Sequence, residues 1–102
     1  MSETRQQITA TIYDKRGRIL SSGKNSYVKT HPYQSRLAKE VGSPEKEFLH
    51  AEIAALIRCR GKAHKIKIVR VDNDGKLKLA KPCPICELAI MRAKIKYIEY
   101  ST

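Results

Sequence analysis

Two short clusters of metal-binding residue types, His50-Ala51-Glu52 and Pro82-Cys83-Pro84-Ile85-Cys86, lie about thirty residues apart in this chain of 102. A fold that uses both must bring two distant segments to one place. Each cluster stands at the head of a stretch with helical periodicity. Leu49, Ile53, Leu56 and Ile57 repeat at helical spacing and Gly61 offers a stop, so a helix is expected from near Pro44–Glu47 or just after it, with His50 and Glu52 in its early turns. Pro82 suits the first turn of a second helix, whose apolar side is Ile85, Leu88, Ala89 and Met91, running to about Ala93. Cys83 and Cys86 are then one turn apart.

The rest of the chain supplies strands. Gln7 to Tyr13 is rich in β-branched residues and Arg18 to Ser22 follows after Asp14-Lys15-Arg16-Gly17, which reads as a hairpin with a glycine turn. Gly23 to Pro44 lacks a sustained period and reads as a long loop with a short helix near Gln34 to Val41. Lys65 to Val71 alternates like a strand. Asp72-Asn73-Asp74-Gly75 is a turn into the short extended piece Lys76 to Ala80, and lacks the ligand spacing of a calcium loop. Ile95 to Tyr100 is a last strand. With no repeat and no linker, the expectation is one domain over 1–102, of the α/β or α+β class, with one sheet covered by helices.

Charge narrows the partners but not the reaction. The formal net charge is +11, from 21 Lys and Arg against 10 Asp and Glu, and such a field attracts phosphate-bearing molecules. The cations are scattered along the chain, so a solvated surface explains them nearly as well as a nucleic-acid face. No apolar run is long enough for a membrane span, and Met1 to Arg5 lacks the apolar stretch of a signal peptide, so a cytoplasmic protein is expected. Three cysteines with a Cys-x-x-Cys pair argue for metal or redox chemistry rather than a disulfide framework. Cys59, on an apolar helical stretch, reads as a small core residue.

One histidine and two thiolates make a three-ligand zinc set with the fourth position open, the mark of a catalytic site. His31 and His64 do not pair with the motif at a usual spacing and read as surface histidines. The positive end of a helix favours thiolates at Cys83 and Cys86, and zinc lowers the pKa of a water it holds to about 7. Glu52 is harder to place: two residues after His50 on one helix, its side chain points about 160 to 200 degrees away. Alone, that spacing is weak evidence.

Joined, the halves form the H-x-E…P-C-x-x-C pattern, and the sequence resembles the cytidine and deoxycytidylate deaminase superfamily over nearly its whole length. The resemblance implies a cytidine deaminase-like α/β fold: a central mixed sheet of four to five strands flanked by helices, truncated after the strand that follows the Pro-Cys helix. It implies zinc on His50, Cys83 and Cys86, with Glu52 as the proton carrier. It also implies that the Ala51 amide and the Lys81 carbonyl face the base, although many relatives carry Ser, Thr, Glu or His where Lys81 stands. Asn25, just after the second strand, matches an asparagine that contacts sugar or base. Lys29 to Gln34 looks like a segment of small phage-encoded deaminase-like proteins. Within it Tyr33 is a candidate to stack on a base, and Lys29 or His31 to meet a phosphate.

The expected activity is hydrolytic deamination of cytosine in a free nucleoside or nucleotide, most simply of the deoxycytidylate type, a step in nucleotide metabolism. Two alternatives are a deaminase acting on a base in single-stranded DNA or RNA, and a non-catalytic zinc module that binds nucleic acid. Only six aromatics are present, and no basic-aromatic-basic platform stands out in the row. A chain this short gains by burying more apolar surface, so a homo-oligomer is expected.

Overall fold

Alternation decides the sheet. In the computed structural model, which describes residues 7–102, strand β1 (Gln7–Tyr13) buries Ala10 and Ile12 on one face. Strand β3 (Lys65–Val71) buries Ile66 and Ile68 on the same face. β1 pairs antiparallel with β2 (Ile19–Lys24) on one side and with β3 on the other, from Gln7 opposite Val71 to Tyr13 opposite Lys65. The far edge of β3 is shared: β4 (Leu77–Lys78) pairs antiparallel near Val71, and β5 (Tyr97–Tyr100) pairs parallel with Lys65 to Ile68. The sheet is therefore mixed and five-stranded, with order β2-β1-β3 and β4 and β5 both on β3. This is the sheet expected for a cytidine deaminase-like chain.

Three helices join the strands: α1 (Pro32–Glu40), α2 (Ala51–Arg58) and α3 (Pro84–Arg92). α3 is the crossover that a parallel pair requires, carrying the chain from the β3–β4 edge back to β5. None of the described helices is long and apolar enough to cross a membrane.

Two buried clusters hold the layers. Ala10, Ile12, Ile66 and Ile68 of the sheet meet Ala51 and Ala55 of α2 and Ile90 of α3. Behind them Leu37, Ala38, Ile53, Ile85, Cys86 and Ala89 pack the three helices together. α2 thus faces the sheet with alanines at i and i+4, which lets it come close. Ile57 stays exposed, and Cys59 ends the helix as a half-buried residue against the first cluster.

The closest approach is at Gly23 in β2. A Cβ there would lie 2.5 Å from the Ala55 amide nitrogen and 2.7 Å from the Ala51 carbonyl oxygen, both backbone atoms that cannot step aside. Gly23→Ala is expected to push the start of α2 off the sheet at a cost of about 3 kcal/mol, read as a lower denaturant midpoint. An unchanged midpoint would mean that the helix shifts freely.

Several boundaries differ from those read in the sequence. α1 starts at Pro32, two residues early, because His31 caps it: the Tyr33 amide donates to His31 Nδ1 at 3.0 Å. β2 continues through Gly23 and Lys24, where a loop was expected. α2 starts at Ala51 rather than near Pro44–Glu47, because residues before it pair with a distant strand-like segment. Phe48 bridges Thr30, and the Leu49 amide donates to the Lys29 carbonyl at 2.9 Å. α3 starts at Pro84, with Cys83 as its cap, so the proline in the first turn is Pro84 and not Pro82.

Candidate metal and catalytic site

Two helix starts meet at one end of the sheet. His50 is the cap residue of α2 and Cys83 that of α3, both with extended backbone, and Cys86 lies in the first turn of α3. His50 Nδ1 is 3.3 Å from Cys86 Sγ and 3.4 Å from Cys83 Sγ, and the three donor atoms lie within 4.8 Å of one another. Donors on a tetrahedral zinc, with bonds near 2.3 Å to sulfur and 2.0 Å to nitrogen, stand roughly 3.6 Å apart. Donor type and spacing both fit zinc, and three protein donors leave one position for a further ligand.

Glu52 lies on the cleft side of this cluster and is only 6% exposed. The expected conflict between His50 and Glu52 disappears because His50 is not helical. Its φ of −81° and ψ of 154° turn its side chain out of the helical progression. Burial raises the Glu52 carboxyl above the ordinary carboxylate range, against a lowering hydrogen bond from the Cys86 side chain.

The two thiols share one charge. Cys83 is lowered to about 3, chiefly by the hydrogen bond from Cys86 and further by His50, while burial opposes. Cys86 is correspondingly raised, by donating to Cys83 and by its burial. His50 is raised, first by its bond to Cys83, against the effect of burial. Without metal, then, the charge of the thiol pair sits on Cys83, and the ionised form of Glu52 is disfavoured by its burial.

This sets a pH-dependent stability. Glu52 has a folded-state pKa above its unfolded one, so its contribution is full below the ordinary carboxylate pKa and is lost as pH rises through the raised value. Glu52→Gln in the metal-free protein is expected to melt a few degrees higher than wild type near neutral pH, and at the same temperature in acid. Paired thermal melts at the two pH values check this. No gain near neutrality would contradict the burial argument.

The cluster opens into a cleft of about 460 Å³. Asn25, Ala51 and Lys81 line it, together with Glu52. Asn25 is held by the sheet: its Oδ1 accepts from the Ile8 amide at 2.9 Å and its own amide donates to the Ile8 carbonyl. Ala51 is the first residue of α2, where a backbone amide has no partner within the helix. Lys81 is exposed on the rim.

Tyr33, the residue expected to stack on a base, is not among those that line this cleft. It sits in the first turn of α1, half-buried against the helical cluster, and borders a separate depression with Leu56, Ile57, Arg92 and Ala93. The reason is the early start of α1, which turns this residue inward. The aromatics that do line the cleft are Tyr27 and Phe48, 42% and 46% exposed. His31 is spent on capping α1.

Other residues at the site carry no local signal in the sequence. Gln34 is fully buried. Its Oε1 accepts from the His50 amide at 3.2 Å and its Nε2 donates to the Lys46 carbonyl at 3.0 Å, so it fixes the approach to His50. Lys46 and Arg70 also border the cleft. A polar residue on the inner side of a short helix was the one available hint.

A family model described as the cytidine and deoxycytidylate deaminase zinc-binding region matches residues 2–102. No curated protein matches the sequence.

Proposed function

From the premise that the chain belongs to the cytidine and deoxycytidylate deaminase family, we propose that it hydrolyses cytosine to uracil and ammonia in a free nucleotide of the deoxycytidylate type. One observation carries the reading. A buried carboxyl, Glu52, stands beside a three-donor zinc set and at the same time lines a cleft large enough for a nucleotide. A purely structural zinc module has no use for a buried carboxyl in that place.

Bound to His50, Cys83 and Cys86, zinc supplies the Lewis acidity that lets water act as a nucleophile at neutral pH. Glu52 moves the protons. It takes the proton that water loses on attacking the amino-bearing carbon and passes it to the adjacent ring nitrogen, then takes the proton of the new hydroxyl and passes it to the departing amine as the carbon–nitrogen bond breaks. The Ala51 amide donates to the ring carbonyl and the Lys81 carbonyl accepts from the amino group. Asn25, oriented through Ile8, contacts the sugar. Tyr27 takes the aromatic role first expected of Tyr33.

The phosphate is assigned to the Lys46 and Lys81 side chains on the rim. Lys81→Ala is expected to raise KM for deoxycytidylate about fivefold and leave that for deoxycytidine unchanged. Equal effects on both would remove the phosphate assignment. A base within a strand is the second reading, favoured by exposed Tyr27 and Phe48 at the mouth. KM that climbs steeply with salt for an oligonucleotide, and is lower than for the mononucleotide, selects it.

Two further features complete the proposal. Thiol ligands persist best in a reducing compartment, so the protein acts in the cytoplasm. Val28, Met91 and Ile98 are exposed, and we assign their cover to other copies in a homo-oligomer.

A further inference from the structure

The described helices that reach the sheet pack on its face carrying Ala10, Ile12, Ile66 and Ile68. Ile12, Ile66 and Ile98 stand in one cross-strand row on the helix side, so the next row, Tyr13–Lys65–Tyr97, faces the other way. Strands lie about 4.8 Å apart, which puts the two tyrosines roughly 10 Å from each other with the lysine between. Lys65 Nζ stands 5.0 Å from the Tyr13 ring centre, and Lys96 Nζ 5.6 Å from that of Tyr97. Lys67, exposed, follows in the row behind.

A cavity of about 580 Å³ lies at the same end of the sheet, lined by residues adjacent in the chain to all three members of the row: Asp14, His64 and Lys96. Lys15, Arg16, Arg18, Lys62, Lys94 and Lys96 line it, and so does His64, whose ring meets Tyr97 edge-on at 5.1 Å. Asp14 is the one acidic residue among the described lining, and the turn uses its carboxylate. It accepts from the Arg16 and Arg18 amides and from Arg18 Nε. Glu99 pairs with Lys65 at 3.4 Å, and that exposed pair is weak.

Lys94 follows α3 in the left-handed region, with φ 58°, where its amide donates to the Met91 carbonyl at 3.0 Å and closes the helix end. Its charge adds to the cavity.

We propose that this surface binds single-stranded nucleic acid, the tyrosines stacking on bases and the cavity cations meeting the backbone phosphates. Aromatic rings beside a cationic groove are what sequence-tolerant strand binding requires. A duplex keeps its bases stacked internally and has no use for the rings. The cation–ring contacts of Lys65 and Lys96 are exposed and weak enough to give way to a base, after which both lysines are free for phosphate. The surface lies about 20 Å along β1 from the cleft, since Ile8 lines one and Asp14 the other. It does not depend on what the cleft does.

The test is fluorescence anisotropy of a labelled oligo-dT of roughly 20 nucleotides with the zinc-loaded full chain, across a salt series. Binding is expected, with log affinity falling linearly against log salt. Tyr97→Ala should weaken it about tenfold while Tyr97→Phe matches wild type. The Lys94→Glu, Lys96→Glu double variant should bind weakly and with a salt slope smaller by about two. Phe48→Ala, at the mouth of the cleft, should bind like wild type, which separates this surface from the reading of the cleft. Absence of binding at low salt, equal affinity of Tyr97→Ala and wild type, or a duplex of the same length bound as tightly would each overturn the proposal.

Discussion

Glu52→Ala is expected to lower the rate of ammonia release by at least about 10³-fold while the protein keeps its fold and one zinc. The magnitude follows from the work the carboxyl is assigned. A positioned acid–base group contributes about 10² to 10⁴, and here one buried group is assigned both proton transfers. The fold should survive because Glu52 is no part of either apolar cluster and its ionised form is disfavoured where it stands. Metal content should survive because the three donors are other residues. Rate, metal analysis and a thermal melt on one preparation check all three. Loss of zinc together with activity would instead make Glu52 a ligand.

Cys86→Ser should remove both zinc and stability. Cys86 is fully buried in the helical cluster, and its sulfur contacts His50 and Cys83. Serine there offers a poor zinc donor and leaves Cys83 and Glu52 around an unfilled position. Zinc present at a hundred times its dissociation constant stabilises the folded state by about 2.7 kcal/mol. For a chain of this size that is a melting temperature roughly 10 to 20 °C higher than in the metal-free protein. The variant should therefore melt like chelator-treated wild type and show no further response to chelator. A variant that still binds one zinc and still loses it to chelator with a large drop would place the ligand elsewhere.

The metal donors were legible because each half of the motif is local: His-x-Glu and Cys-x-x-Cys can be read without knowing the fold. What the sequence could not supply were features made by distant pairing. The start of α2 was misplaced because Phe48 and Leu49, apolar and at helical spacing, are drawn into backbone pairing with residues 29 and 30. That same extended entry frees His50 from the helical progression and lets Glu52 share its site. The sheet-facing side of α2 was hidden because its contact residues are Ala51 and Ala55 opposite Gly23, and small residues carry little hydrophobic signal.

The aromatics follow the same rule. Tyr33 and Tyr27 look alike in the row, and only the start of α1 decides that the first packs inward and the second reaches the cleft. No basic-aromatic-basic platform stands out in the row, yet strand register sets Lys65 between Tyr13 and Tyr97. Strands and turns, by contrast, depend on adjacent residues. β1, β3 and the Asp72–Gly75 turn, where Asp72 Oδ1 accepts from the Asp74 and Lys76 amides, lie where alternation and turn chemistry put them.

The most direct measurement is ammonia release by the zinc-loaded protein from cytidine, deoxycytidine and their monophosphates, set beside adenine and guanine nucleotides and single-stranded oligonucleotides. Release from a cytosine nucleotide, with conversion to the uracil product, is the predicted result. Silence from every substrate in a preparation shown to hold one zinc per chain would contradict it.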